Sequence, residues 1–422
     1  MRVDVCVVGA GIAGLAAAAR LSAAGLAVTV LEAGEQAGGR ARDERVDGYA
    51  VADGDQLLHT TWSTLRQTVS PSGLNLGGFA AGVRVCAGGR RVRFGAAPTR
   101  PQQAFSALRM PIGTTADKAR LSKLLYRLGT TAPERALAGA EHRAGDSFAV
   151  RGYSAELVDE FLRPYLAGLA ADEDLAGSVR GADWYLRLLV RGRFAVPGAG
   201  IGSIARELVR TLPAGAVHYG ARVHTVRADR VTGEAGEVRA RAVVVAADPH
   251  SAVELLPGLH EPRMRPVTTL WHVGEDADLP TESDRAPSVL VDAEPGSPVA
   301  RTVIVSRAAA TLAPPGKVLV ATTVYGEDGK EPVALDRTVL ERLADLYGPH
   351  ARDWKTLDVR HVEHAVVSMT SPYNFSRPVR LINGLYVCGD HRGLPNVEGA
   401  LQSAKRAADA VVEDLRTRSQ SA

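Results

Sequence analysis

Val3-Asp-Val-Cys-Val-Val-Gly9-Ala-Gly11-Ile-Ala-Gly14-Leu-Ala-Ala-Ala-Ala-Arg20, continued by Val28-Thr-Val-Leu31-Glu32 and Gly38-Gly39-Arg40-Ala41-Arg42, is the stretch on which the reading of this chain turns. The apolar run Val5 to Val8 suits a buried parallel strand. Gly9 then allows a tight turn, Gly11 lets backbone approach a pyrophosphate without a Cβ in the way, and Gly14 lets a helix pack close to the strand. The helix predicted from about Gly11 to Ala24 aims free N–H groups and its positive dipole end at the same spot. Glu32 ends the second strand 21 residues after Gly11, where a carboxylate accepts hydrogen bonds from a ribose 2′-hydroxyl. A 2′-phosphate would be repelled there, so NADP is disfavoured and NAD or the adenosine half of FAD remains.

At 422 residues the chain is too long for one ordinary core, and two domains are expected. Hydrophobic residues make up 45% and charged residues 23%, the balance of a globular protein. The 50 basic and 47 acidic residues are spread along the chain and give a net charge of only +3, which argues against a nucleic-acid partner. Arg84, Arg90, Arg91 and Arg93 read as the solvated face of a hairpin around Ala87-Gly88-Gly89. Cys6, Cys86 and Cys388 are odd in number and set in apolar runs, which suits reduced, buried thiols and a cytoplasmic location. The apolar amino terminus is not read as a secretory signal, because its cleavage would destroy the nucleotide site. No run of about 18 apolar residues suggests a membrane span outside the glycine motif, which leaves room only for peripheral contact with a membrane.

Further along, Val83 to Phe94 alternates as two short strands, and Thr115 to Leu128 has helical periodicity. Glu156 to Leu169 reads as a helix interrupted by Pro164, and Asp183 to Val190 as another. Gly198-Ala-Gly200-Ile-Gly202-Ser203 could cradle a second phosphate, but no buried strand or acidic strand end flanks it, and a turn is the better reading. Val217 to Val226 and Ala242 to Ala246 read as strands. Arg265 to about His364 alternates β-rich pieces with a helix near Leu335 to Tyr347.

The carboxyl end supplies a second half-site. Gly384-Leu-Tyr-Val-Cys-Gly389-Asp390 is a strand ending in glycine and carboxylate, and His391-Arg-Gly-Leu-Pro395-Asn396-Val397-Glu398-Gly399-Ala400 leads into a long helix to about Leu415. The N-terminus of that helix suits the electron-rich edge of a reduced flavin, and Asp390 would reach ribityl or phosphate oxygens. An NAD enzyme needs no such half-site. Together these segments resemble the flavin amine oxidase superfamily, which includes phytoene desaturases, protoporphyrinogen oxidases and monoamine oxidases.

The resemblance implies an α/β fold: a Rossmann-type FAD-binding domain interleaved with an α+β substrate domain. FAD-binding segments are expected at 1–66, 195–258 and 379–422, and substrate-domain segments at 67–194 and 259–378. It assigns Gly9, Gly11, Ile12, Ala13, Gly14, Glu32, Ala33, Gly39, Arg40 and Ala41 to the adenosine and pyrophosphate side of FAD. Gly54, Asp55 and Gln56 fall at the flavin edge, Val223 offers backbone to the adenine, and Gly389, Asp390, Asn396, Val397 and Ala400 close the site. Two departures stand out. Thr268 or Thr269 occupies the place of the lysine that amine oxidases carry near flavin N5, and no cysteine matches the covalent link of monoamine oxidases. FAD is therefore expected to be noncovalent, and the desaturase-like branch is favoured.

A flavin supplies its own electron sink, so a dedicated base need not exist. Tyr373 and His391 are the candidates for shaping the redox pocket, and no catalytic residue is assigned. His361 and His364, three apart in a strand-like piece, would face opposite ways, and no metal site is expected. Ser154, Ser203 and Ser403 lack a nucleophile-elbow setting. The expected activity is hydride abstraction from a C–H of a small, largely apolar organic substrate, with oxygen or another acceptor taking the electrons. The alternatives are an amine oxidase releasing hydrogen peroxide, a flavin-dependent isomerase, and a flavin-binding partner protein without turnover.

Overall fold

A computed structural model describes residues 1–95, 111–280, 285–325, 332–381 and 384–420. The opening run Arg2–Val8 is a strand, Val28–Leu31 pairs parallel to it, and helix Ile12–Ala23 connects them. They form the centre of a seven-stranded sheet in the order Val217–His218, Val28–Leu31, Arg2–Val8, Gly236–Val245, Arg230–Gly233, Val223–Val226. Leu385–Val387 pairs parallel with the last residues of Gly236–Val245, on the edge opposite Arg2–Val8. Val5, Val7, Val243 and Val244 are fully buried, as expected of strands covered on both faces.

The carboxyl-terminal helix Val397–Gln420 lies along the opening helix. Ala17, Ala18, Ala404, Ala407 and Ala408 are all buried, and small side chains let two helices approach closely. An Arg20–Asp409 ion pair of 2.5 Å spans the exposed edge of that contact. The two ends of the chain are thus neighbours because their alanine faces and their strands both require it.

A second seven-stranded sheet runs Lys355–Val367, Met264–Glu275, Lys317–Tyr325, Val299–Ile304, Val289–Asp292, Val83–Ala87, Arg90–Phe94. Its pairings are antiparallel except Val289–Asp292 with Val83–Ala87. Leu270, Val318 and Val320 pack against Val339 and Leu343 of helix Pro332–Tyr347. Helices Thr115–Thr130, Ala144–Val150 and Val179–Leu188 pack together beside it.

Two local expectations change, and the turn reading of a third segment stands. The helix around Pro164 is not broken there: Val158–Leu162 forms a π-turn and Arg163–Ala170 continues as α-helix with Pro164 in its first turn. The wider turn tolerates the missing proline N–H. The Val217 to Val226 run is two strands, split where Gly220 takes φ of 60°. The Gly198 to Ser203 loop is filled by its own chain, since Asp43 accepts from Gly202 N at 2.7 Å and from Arg206 at 2.9 Å. A phosphate would meet that carboxylate.

Candidate functional site

The site begins where the opening strand turns. Gly9 sits at φ 102°, donates its N–H to Leu31 O at 2.8 Å, and a Cβ there would stand 2.8 Å from Ala246 O. A Cβ at Gly14 would be 2.0 Å from Gly9 O, so helix and turn touch backbone to backbone. Gly11 differs, because a Cβ there would meet nothing within 4 Å. The space in front of Gly11 is open, as close approach of a phosphate requires. Ile12 and Ala13 are buried in the first helical turn, and Gly38 donates to Ala10 O at 2.9 Å, which brings Gly39 and Arg40 onto the same loop. Ala41 is buried beside them, whereas Ala33 is exposed.

Glu32 does more than its spacing suggests. One carboxylate oxygen accepts from Ala10 N at 2.6 Å and the other from Gly34 N at 2.8 Å, so it ties the first turn to the second strand end. Ala221 N donates to the Glu32 backbone carbonyl at 2.8 Å and Gly220 N to that of Gly34 at 3.0 Å, which sets the loop before Val223 against the end of the second strand.

Arg40 joins the two ends of the chain. It donates to Asp390 Oδ1 at 2.6 Å and to Ala365 O of the second sheet at 2.7 Å. Burial works against its charge, but the carboxylates of Asp390 and Asp248 outweigh that and hold it protonated. A Cβ at Gly54 would stand 2.7 Å from Arg40 O, so the next loop rests directly on this residue. Asp55 in that loop takes two bonds from Arg301, at 2.9 and 3.2 Å, while Gln56 is buried next to it. Arg301 is buried and reaches in from the second sheet. Thr269 lines the same small hollow, with Leu57, Val303, Ala321 and Thr323. Thr268 points the other way and meets His361 at 2.9 Å, so Thr269 is the inward member of the pair.

At the closing end Gly389 exchanges hydrogen bonds with Ser403 Oγ at 2.9 and 2.8 Å. Asn396 Oδ1 accepts from Gly399 N at 3.0 Å and caps the last helix, with Val397 and Ala400 half-buried beyond it. Glu398 turns inward and accepts from Thr64 N at 3.0 Å and Leu65 N at 3.1 Å, capping helix Ser63–Thr68. Tyr373 is buried, donates to Gly393 O at 2.8 Å and lies under the Arg377 guanidinium at 5.0 Å. Both candidates for shaping the pocket therefore border the closing loop.

His391 is 2% exposed, yet both ring nitrogens lack a partner, and burial pulls its imidazole down to about 4 against the opposing pull of Asp390. The Asn396 side chain faces the Tyr185 hydroxyl across the same loop. Buried polar atoms left without partners mark where a polar ligand belongs. Together with the open face of Gly11, they fit a long polyhydroxylated, phosphate-bearing cofactor held between the two chain ends. Sequence spacing did not reveal Arg301, Asp248 or the cap made by Glu398, and it left Thr268 and Thr269 undecided.

The family model for flavin-containing amine oxidoreductases matches residues 12–412. The chain belongs to that family. This flavoprotein is 29% identical to the hydroxysqualene dehydroxylase of Rhodopseudomonas palustris over 450 aligned residues, 98% of this chain and 99% of that one. It is 43% identical to an L-amino-acid oxidase of Sistrurus catenatus edwardsii over 75 residues, a stretch that covers 18% of this chain and 14% of the oxidase. An oxidoreductase from Methanosarcina mazei shares the fold with a TM-score of 0.74 at 19% identity, over 97% of this chain and 100% of that one. The protein is accordingly an FAD-dependent oxidoreductase of mixed α/β architecture.

Its flavin is noncovalent. Cys388 is fully buried behind the closing loop, and burial pushes its thiol up to about 12, out of reach of thiolate chemistry. Cys6 and Cys86 are buried free thiols as well. His361 and His364 do not meet: the first bonds Thr268 and the second lies against the His250 ring at 5.7 Å. No group of three or more metal-ligating side chains gathers among the described residues. No helix among them is long and apolar enough to cross a membrane.

Proposed function

We propose that this flavoprotein removes hydride from a C–H of a largely apolar organic substrate, in the manner of a desaturase or dehydrogenating oxidase. The observation that carries this reading is the Asp55–Arg301 pair. The hollow beside Gly54 to Leu57 holds one carboxylate, and Arg301 engages it through two bonds. With Asp55 committed to Arg301, this loop leaves an ammonium substrate no free carboxylate to pair with. Thr269 stands where a lysine would favour the amine-oxidase reading. The relative aligned along the whole chain is by name a dehydroxylase of hydroxysqualene, which supports an apolar substrate.

In this reading Gly9, Gly11, Gly14, Gly39 and Arg40 hold the pyrophosphate, Glu32 and Val223 the adenosine, and Asp390, Asn396, Val397 and Ala400 the flavin end. Bound FAD supplies the electron sink for the hydride. Arg40 keeps the two half-sites in register, Arg301 fixes Asp55, and Tyr373 and His391 shape and dry the pocket wall. The 1–66, 195–258 and 379–422 segments make the FAD-binding unit and the 67–194 and 259–378 segments the substrate unit. The division of strands between the two large sheets supports that partition.

The test is anaerobic mixing of the FAD-loaded protein with a polyisoprenoid alkene or alcohol and, separately, with a panel of amines. Flavin bleaching near 450 nm is expected with the apolar compounds only. Bleaching by an amine, with peroxide released on admitting air, would reverse the assignment.

A further inference from the structure

A second cavity lies across one helix from the flavin cradle. Helices Thr115–Thr130, Pro133–Ala136, Ala144–Val150 and Val179–Leu188 enclose a cleft of about 610 Å³. Val179, Arg180 and Asp183 of the last helix face it, whereas Tyr185 of the same helix faces Asn396 at the closing loop. The cleft is therefore outside the redox pocket and shares a wall with it.

Five arginines line this cleft, Arg127, Arg135, Arg143, Arg151 and Arg180, against two aspartates, Asp146 and Asp183. Two of the guanidiniums are fixed in place: Arg151 is clamped by both oxygens of Asp183 at 2.7 and 2.9 Å. Arg180 is held by Glu141, by Leu137 O at 3.0 Å and by Tyr373 O at 2.7 Å. Arg135 and Arg143 are exposed on the rim, and their guanidiniums make no hydrogen bond or ion pair among the described residues. The floor is apolar: Leu128 and Val179 are buried, Ala136 is half-buried, and Val150 stands 88% exposed at the edge. An exposed β-branched side chain beside uncommitted arginines suits a ligand with both an apolar body and a negative head.

We propose that this cleft binds an amphipathic organic anion, a phosphate or carboxylate head on an apolar tail, with Arg135 and Arg143 gripping the head and Val150 and Leu128 covering the tail. The guanidinium fork matches the oxygens of such a head in geometry as well as charge. Its volume falls within the range of small-molecule pockets, about 300–1,000 Å³. Because helix Val179–Leu188 forms the common wall, a bound anion would press on the element that carries Tyr185 toward the flavin loop.

Calorimetric titration of the FAD-loaded protein with octyl phosphate tests this directly. Saturable binding at one site per chain is expected, weakened about tenfold or more in the Arg135→Ala/Arg143→Ala double variant. The visible flavin spectrum of that variant should match wild type, which separates loss of the anion site from loss of the fold. Octyltrimethylammonium should not bind. Inorganic phosphate should compete weakly, identifying the head as the recognised part. Flotation with phosphatidylglycerol vesicles distinguishes the source: binding that the double variant abolishes assigns the same chemistry to a lipid headgroup. Equal affinity of wild type and double variant for octyl phosphate, equal binding of the ammonium, or vesicle binding indifferent to the substitutions would overturn the proposal.

Discussion

At the scale of single residues, Asp390 and Arg40 carry the most consequence, because they pair with each other and reach the same cradle from opposite ends of the chain. Removing Asp390 leaves a half-buried guanidinium with part of its compensation gone. The Asp390→Ala variant should hold FAD at least about tenfold more weakly, on the order of 1.5–3 kcal/mol for a hydrogen bond to a charged group. Equilibrium dialysis of FAD measures this, and wild-type retention would refute the role. His59 and His391 make a second prediction. Burial holds both imidazoles at about 4, below their ordinary value of 6.5. The unfolded chain therefore takes up protons first as pH falls, and stability should be full above about 6.5 and lost progressively toward 4. The loss is roughly 3 kcal/mol per imidazole over the window. Urea midpoints at pH 7 and pH 5 should converge in His391→Leu relative to wild type; an identical pH slope in the two proteins would contradict it. These features were only partly legible beforehand. Glycine and acid spacing pointed to Glu32 and Asp390, but spacing cannot show that Glu32 also binds two backbone amides, since that depends on how the turn closes.

At the scale of elements, helix Ile12–Ala23 meets the Gly9 turn backbone to backbone. A Gly14→Val side chain would need to occupy the position of Gly9 O, 2.0 Å from its Cβ. Backbone would have to move, and a cost of about 1–3 kcal/mol or more is expected, with FAD binding falling in step. Thermal unfolding of the loaded protein checks it, and an unchanged Tm would mean the helix sits farther from the turn than described. The other joint is Glu398, whose carboxylate caps helix Ser63–Thr68. Glu398→Ala leaves two buried N–H groups unpaired and should cost about 1–3 kcal/mol, while Glu398→Gln should recover part of it. Periodicity foretold the long helices and the central strands, because apolar spacing is a local property. It failed at Val158–Leu162, where a π-turn absorbed the proline, and at Gly220, where one positive φ split a strand. Both outcomes depend on neighbours distant in sequence.

At the scale of the molecule, two large sheets and a pair of alanine-faced helices bring residues separated by most of the chain into one site. The βαβ opening and the strand–loop–helix closing were readable because each is a contiguous pattern with its own physical reason. Arg301 was not, because it enters from the second sheet, and nothing near residue 301 announces a partner at residue 55. The basic cleft was equally hidden: its arginines come from three helices and from the two ends of a fourth, and form a cluster only on folding.

The central claim is that both chain ends grip a single FAD. The measurement closest to it is an FAD binding isotherm for wild type, Glu32→Ala and Asp390→Ala proteins, each refolded free of flavin. One FAD per chain should bind to wild type, with both variants weakened about tenfold or more. A colourless wild-type chain that refuses added FAD, or a loss confined to the Glu32 variant, would contradict it.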